Sequence, residues 1–198
     1  MEKPVTGYLD GRSIGRVAGV LAGGGVAVLP TDTLYGFHCS IRHIAALATI
    51  CRLKGKRKGE GFILLASNIE MADGVVSRWP EGVRQELSSI WPAPLTAVLP
   101  ASRRLPAEVV WRDSVAVRIP AHEGLRLLIR RIGEPLVSTS VNRAGGEPLR
   151  WISAIRKTFP GLGAYMSRRG SGSRYPSTVI DFRPKAPVTI RAGRYRLE

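Results

Sequence analysis

Sulfur and imidazole are scarce in this 198-residue chain, which holds two cysteines, Cys39 and Cys51, and three histidines, His38, His43 and His122. Two cysteines in or beside an apolar segment read as reduced core residues, not as a disulfide framework. The histidines show no zinc-ligand spacing with them, so neither a protein-built metal site nor a Cys-His nucleophile is expected. Long apolar runs are missing too: none approaches the ~20 residues that cross a bilayer. The start of the chain, Met1 to Thr6, lacks the charged-then-apolar layout of a signal peptide. A cytoplasmic protein with no membrane partner is the expectation. Acidic residues are the last shortage, with 15 Asp and Glu against 30 Lys and Arg, a formal net charge of +15. Such a surface attracts polyanions, whether RNA, DNA or small phosphorylated ligands. Most of those cations are scattered arginines, a bias that a GC-rich genome would also produce.

The remaining composition is that of a globular protein. Apolar residues make up 44% and charged residues 23%, which excludes disorder and collagen-like structure. At roughly 150 residues per domain, a single domain over 1–198 is expected, large enough to bury a core without a metal or disulfide staple. Apolar periodicity predicts helices over 12–22, 41–53, 81–90, 122–132 and 151–158. In the first of these, Ile14, Val17, Ala18 and Leu21 form one stripe. Strands are predicted over 26–30, 62–66, 95–99, 114–119, 136–139, 177–182 and 187–191. Helices and strands alternate early and strands pair late, which gives an α/β domain with a mixed sheet flanked by helices.

Four polar clusters stand at strand or helix ends, where open α/β sheets place their ligands. Thr31-Asp32-Thr33 follows a buried strand. It offers hydroxyl and carboxylate groups for a small zwitterion, although Thr31 or Asp32 would equally cap a helical turn. Lys54-Gly55-Lys56-Arg57-Lys58 closes a helix, where cations complement the macrodipole and would also suit a polyphosphate. In Ser114 to Ile119, alternation puts Val115, Val117 and Ile119 on one face and Ser114, Ala116 and Arg118 on the other. Small neighbours leave Arg118 room to clamp a carboxylate or phosphate. Ser138-Thr139-Ser140-Val141-Asn142 precedes Gly145-Gly146, and three consecutive hydroxyls suit a strand end facing a ligand better than a packed strand. No P-loop, dinucleotide fingerprint or nucleophile elbow is present. A site rich in Lys, Arg, Ser, Thr and Asn suits transfer chemistry run by positioning and charge neutralisation.

Together these motifs carry a resemblance. PTDTLYG, LKGK…FILLA, WPAPLT, SVAVRIP, PLVSTSVNRAGG, PSTVID and TIRAG occur in the order and spacing of the YrdC family, from about Gly19 to Gly193. The resemblance implies a twisted, mostly open mixed sheet with a deep, positively charged cavity. It also implies the chemistry of threonylcarbamoyl-AMP synthases of the TsaC type: L-threonine, bicarbonate and ATP give L-threonylcarbamoyl-adenylate and pyrophosphate. Transfer proteins would then move the threonylcarbamoyl group to tRNA. The chain is expected to be the short, single-domain form. By the family motif, Thr31, Arg118, Ser138 and Ser177 would hold threonine, with Arg118 on its carboxylate. Lys54 and Lys56 match the Lys-x-Arg pair on the triphosphate, and with Arg118 would be the catalytic cations. Ser114, Ser140, Asn142 and Arg191 match further ATP contacts, and Mg2+ would be held mainly by the phosphates. The chain departs from the family where Lys56 replaces the motif Arg, and Arg57 could supply the lost fork.

Two other readings compete. A non-catalytic RNA-binding or ribosome-maturation module would use the basic cavity and the net charge, with direct tRNA binding. A carbamoyl-transfer domain of the hydrogenase-maturation kind shares the fold but normally sits inside a much longer chain.

Overall fold

The computed structural model describes residues 3–55, 62–168 and 173–196. Lys56 and Arg57, the two candidates for the phosphate fork, lie outside them. In chain order the elements are β1 (Val5–Tyr8), α1 (Gly11–Ala22), β2 (Ala27–Pro30), β3 (Tyr35–Ser40), α2 (Ile44–Lys54), β4 (Ile63–Leu65) and α3 (Ile69–Asp73). They continue with α4 (Val83–Ile90), β5 (Leu95–Pro100), β6 (Ser114–Arg118), α5 (Glu123–Ile132), β7 (Leu136–Ser140), α6 (Ile152–Thr158), β8 (Ala164–Ser167), β9 (Thr178–Asp181) and β10 (Val188–Arg191). The strands form one sheet in the order β1-β8-β2-β3-β7-β4-β6-β5-β9-β10. Its ladders are mixed: β3 runs antiparallel to β2 and β7, whereas β6 runs parallel to β4 and antiparallel to β5. The result is a single α/β domain with an open mixed sheet.

Period-two alternation sends neighbouring side chains to opposite faces. From β2, Ala27 and Leu29 join a core with the α1 stripe Ile14, Val17, Ala18 and Leu21 and with Leu125, Leu128 and Ile129 of α5. Val28 instead joins the larger core with Phe37, Ile50, Leu87 and Val117. Helix α1 starts where it does because Asp10 accepts from the amides of Arg12 and Ser13 while Ser13 Oγ accepts from Asp10 N, a reciprocal cap. Helix α2 starts at Ile44, later than periodicity predicts, because Ser40 Oγ accepts from Arg42 N and holds a turn there.

Four elements escape the sequence pattern: β1, β3, α3 and β8. The largest correction is β3. The Thr31-Asp32-Thr33 run caps no helix; it turns the chain from β2 into the antiparallel β3. All six residues of β3 are buried, so its sequence YGFHCS shows no apolar–polar alternation.

Candidate active site

Five of the separated segments that line one cavity of about 640 Å³ bring the expected polar side chains to it. They are the 31–34 turn with the start of β3, the end of β6, the end of β7, the start of β9 and the end of β10. Thr31, Arg118, Ser138, Ser140, Ser177 and Arg191 all line it. The strand-face argument for β6 matches the structure: Val115 and Val117 enter the core, while Ala116 and Arg118 face the cavity.

Arg118 is buried, and its Nη2 pairs with the Asp32 carboxylate while its Nη1 donates to Thr33 Oγ1 at 3.1 Å. Arg118 Nε and Asp32 Oδ2 are each enclosed without a partner. Burial draws the Arg118 guanidinium below its ordinary pKa, and the charge of Asp32 works against that shift. This guanidinium therefore already grips a carboxylate, one supplied by the chain. No local sequence signal announced that partner.

The hydroxyls next to Arg118 can be accounted for proton by proton. Thr31 Oγ1 donates to Leu34 O at 2.8 Å and accepts from Thr33 N at 3.0 Å. Its 3.0 Å contact with Thr33 Oγ1 is then an acceptance too, because its only proton is committed. Thr31 lines the cavity, yet its hydroxyl is saturated by the turn that carries it. Elsewhere on the lining, Arg191 donates to Ser177 O at 2.8 Å and to Ser177 Oγ at 3.2 Å, and Ser177 Oγ also meets Thr96 Oγ1 at 2.9 Å. Burial, and then the nearby charge of Arg118, lower the Arg191 pKa. Arg118, Arg174 and Arg191 thus share one cavity, which favours an anion among them.

Lys54, Asn142 and Ser114 stand behind the cavity wall, not on it. The Lys54 ammonium donates to Ser140 O at 2.6 Å, Asn142 Oδ1 at 2.6 Å and Asn142 O at 3.2 Å. Ser140 Oγ donates to the same Asn142 Oδ1 at 2.7 Å, and Asn142 Nδ2 donates to Arg143 O and Gly146 O. Lys54 is therefore the buried pin of the Ser140–Gly146 turn, with its three protons directed at three oxygens. Ser114 is buried too, and its hydroxyl donates to Trp111 O.

A second cavity of about 580 Å³ adjoins the first, sharing Thr31 and adding Asp32, His122, Arg168, Arg194 and Arg196. Arg168 donates to Thr33 O at 3.1 Å and stacks on the Tyr35 ring at 4.3 Å, so it braces the 31–34 turn from outside. Asp32 as the partner of Arg118, Arg168 as the brace, and His38 against Ser138 are site features that the sequence reading missed. Their partners lie far away in the chain and meet only across the sheet. Among the described residues, no group of three or more His, Cys, Asp or Glu could hold a metal ion, and no helix is long and apolar enough to cross a membrane.

Residues 19–193 match the Sua5/YciO/YrdC family model, which is described as telomere recombination. A threonylcarbamoyl-AMP synthase of Thiobacillus denitrificans is 38% identical over 159 residues, covering 80% of this chain and 85% of the relative. The crystal structure of P. abyssi Sua5 complexed with L-threonine superposes with a TM-score of 0.86 at 29% identity, covering 96% of this chain. This chain spans 56% of that longer protein. The E. coli YciO structure shares the fold, with a TM-score of 0.85 at 24% identity over 98% of this chain and 96% of its own.

Proposed function

Because the chain belongs to the Sua5/YciO/YrdC family, we propose that it is a threonylcarbamoyl-AMP synthase, a nucleotidyltransferase acting on L-threonine, bicarbonate and ATP. The observation that carries this reading is the convergence of Arg118, Ser138, Ser140, Ser177 and Arg191 on one cavity, where the charge of Arg118 is felt at Arg191 among lining hydroxyls. In the reaction, the threonine amine and bicarbonate condense to an N-carboxylate with loss of water. An oxygen of that carboxylate bonds to the α-phosphorus of ATP, and the bond to the leaving pyrophosphate breaks.

Arg118 is the group proposed for the threonine carboxylate, which would take the place of the Asp32 carboxylate on the guanidinium. Arg191 is proposed for the nucleotide, and Ser140 would meet it on the turn that Lys54 pins. Mg2+ would arrive on the ATP phosphates. The described chain offers no carboxylate cluster for it, and the ion would neutralise charge on the leaving pyrophosphate. The product would be handed to transfer proteins for threonylcarbamoyladenosine formation in tRNA.

The net charge of +15 favours a second reading, a non-catalytic RNA-binding module. One assay separates the two. Pyrophosphate release should require threonine and bicarbonate together and stop when either is omitted. Release indifferent to both, or none at all beside tight RNA binding, would favour the module.

A further inference from the structure

We propose that His38 is a positioning residue of the threonine subsite: it donates to the Ser138 hydroxyl from behind, so that Ser138 meets the substrate as a hydrogen-bond donor. The inference rests on the synthase reading above. His38 on β3 lies directly opposite Ser138 on β7, with Nε2 3.2 Å from Oγ. The ring sits inside the sheet at 0% exposure, whereas Ser138 lines the cavity. Space for the pair is made by Gly36. A Cβ there would come within 2.6 Å of His38 Cε1, 3.0 Å of Nε2 and 3.2 Å of Ser138 Oγ.

The direction of the hydrogen bond follows from proton accounting. Burial pushes the His38 pKa down to about 3; the backbone carbonyls of Gly36 and Ala27 near the ring resist that shift and the charge of Arg118 adds to it, so the ring is neutral and carries one proton. Nδ1 is enclosed, and no acceptor meets it with hydrogen-bond geometry. A proton placed there would be a stranded N–H donor, and stranded donors are rarer in folded chains than under-satisfied acceptors. The proton therefore belongs on Nε2, aimed at Ser138 Oγ. With that lone pair taken from behind, the Ser138 proton is left for the cavity. Its neighbours differ: Thr31 has given its proton to Leu34 O, and Ser140 has given its proton to Asn142 Oδ1. Ser138 can thus donate to a substrate oxygen where these two cannot.

The whole protein, labelled at histidine with ¹⁵N, tests the assignment without a variant. His38 should show a protonated Nε2 and a bare Nδ1, and a proton on Nδ1 would overturn the proposal. Kinetics test the consequence. His38→Gln keeps an N–H near Nε2 and should hold KM for threonine within about twofold of wild type. His38→Met fills similar space without a donor and should raise that KM roughly fivefold with kcat little changed. In a Ser138→Ala background the Met substitution should add nothing, since its effect runs through that hydroxyl. Equal behaviour of Gln and Met, or a Met effect that survives Ser138→Ala in full, would reduce His38 to core packing. A wild-type protein that releases no pyrophosphate with threonine would remove the synthase reading instead, and the tautomer result would stand apart from it.

Discussion

Arg118 and Asp32 are the pair of residues on which the site turns. Their side chains are only 4% and 7% exposed, and each keeps one enclosed polar atom without a partner. A buried ion pair of this kind is a weak source of stability, because the attraction mostly offsets the loss of hydration. Removing one member is different, since it strands the other charge. Arg118→Ala should therefore cost about 3–5 kcal/mol in urea denaturation and abolish use of threonine as well, two effects that a simple activity assay would merge. The double replacement Arg118→Met with Asp32→Leu separates them. Its stability should return to near wild type or above, while threonine-dependent pyrophosphate release stays lost. Recovered release in the double variant would rule out Arg118 as the carboxylate clamp.

Among the elements, the turn after β7 shows where the sequence is readable and where it is not. Strands with clear alternation or compact apolar runs, such as β5, β6 and β7, lie within one residue of their predicted ends. So do the face of Arg118 and the polar strand ends that meet at the cavity, because side-chain alternation is a local property of the chain. Strand β3 was hidden because burial on both faces erases the alternation, and α3 because five residues are too few to show a helical period. The role of Lys54 was hidden for another reason. Its acceptors on Ser140 and Asn142 lie 86 and 88 residues away, brought to it by the sheet order. A basic helix end and a buried pin look alike in sequence. With this geometry, Lys54→Met should loosen the Ser140–Gly146 turn, costing about 1–3 kcal/mol through the oxygens it leaves unsatisfied. Hydrogen exchange at the amides of Val141 and Gly146 should accelerate, and KM for ATP should rise more than KM for threonine. Unchanged exchange there would show that Lys54 does not hold the turn, and turnover collapsing alone would point to a direct phosphate contact.

For the molecule as a whole, the excess of 15 positive charges must be weighed against the few that line the cavity. Arg118 is neutralised by Asp32, and Arg191 is tied to Ser177, so contacts made by these two depend little on bulk salt, whereas Arg174 at the same cavity is exposed. The second cavity is different. Among the described residues, no carboxylate forms an ion pair with Arg168, Arg194 or Arg196, and they add to a field that extends into solvent. A field of this kind acts on highly charged partners and hardly on a zwitterion such as threonine. Raising salt from about 0.1 M to 1 M shortens the screening length from roughly 10 Å to roughly 3 Å. KM for ATP should then rise several-fold, with KM for threonine and kcat nearly unchanged. Added tRNA should compete with ATP at the lower salt and cease to do so at the higher, if its hold on the surface is of the same long-range kind. Equal salt dependence for ATP and threonine would mean that the charge excess plays no part in bringing substrate to the site. The arginine-rich composition would then reflect the coding of the sequence and not its chemistry.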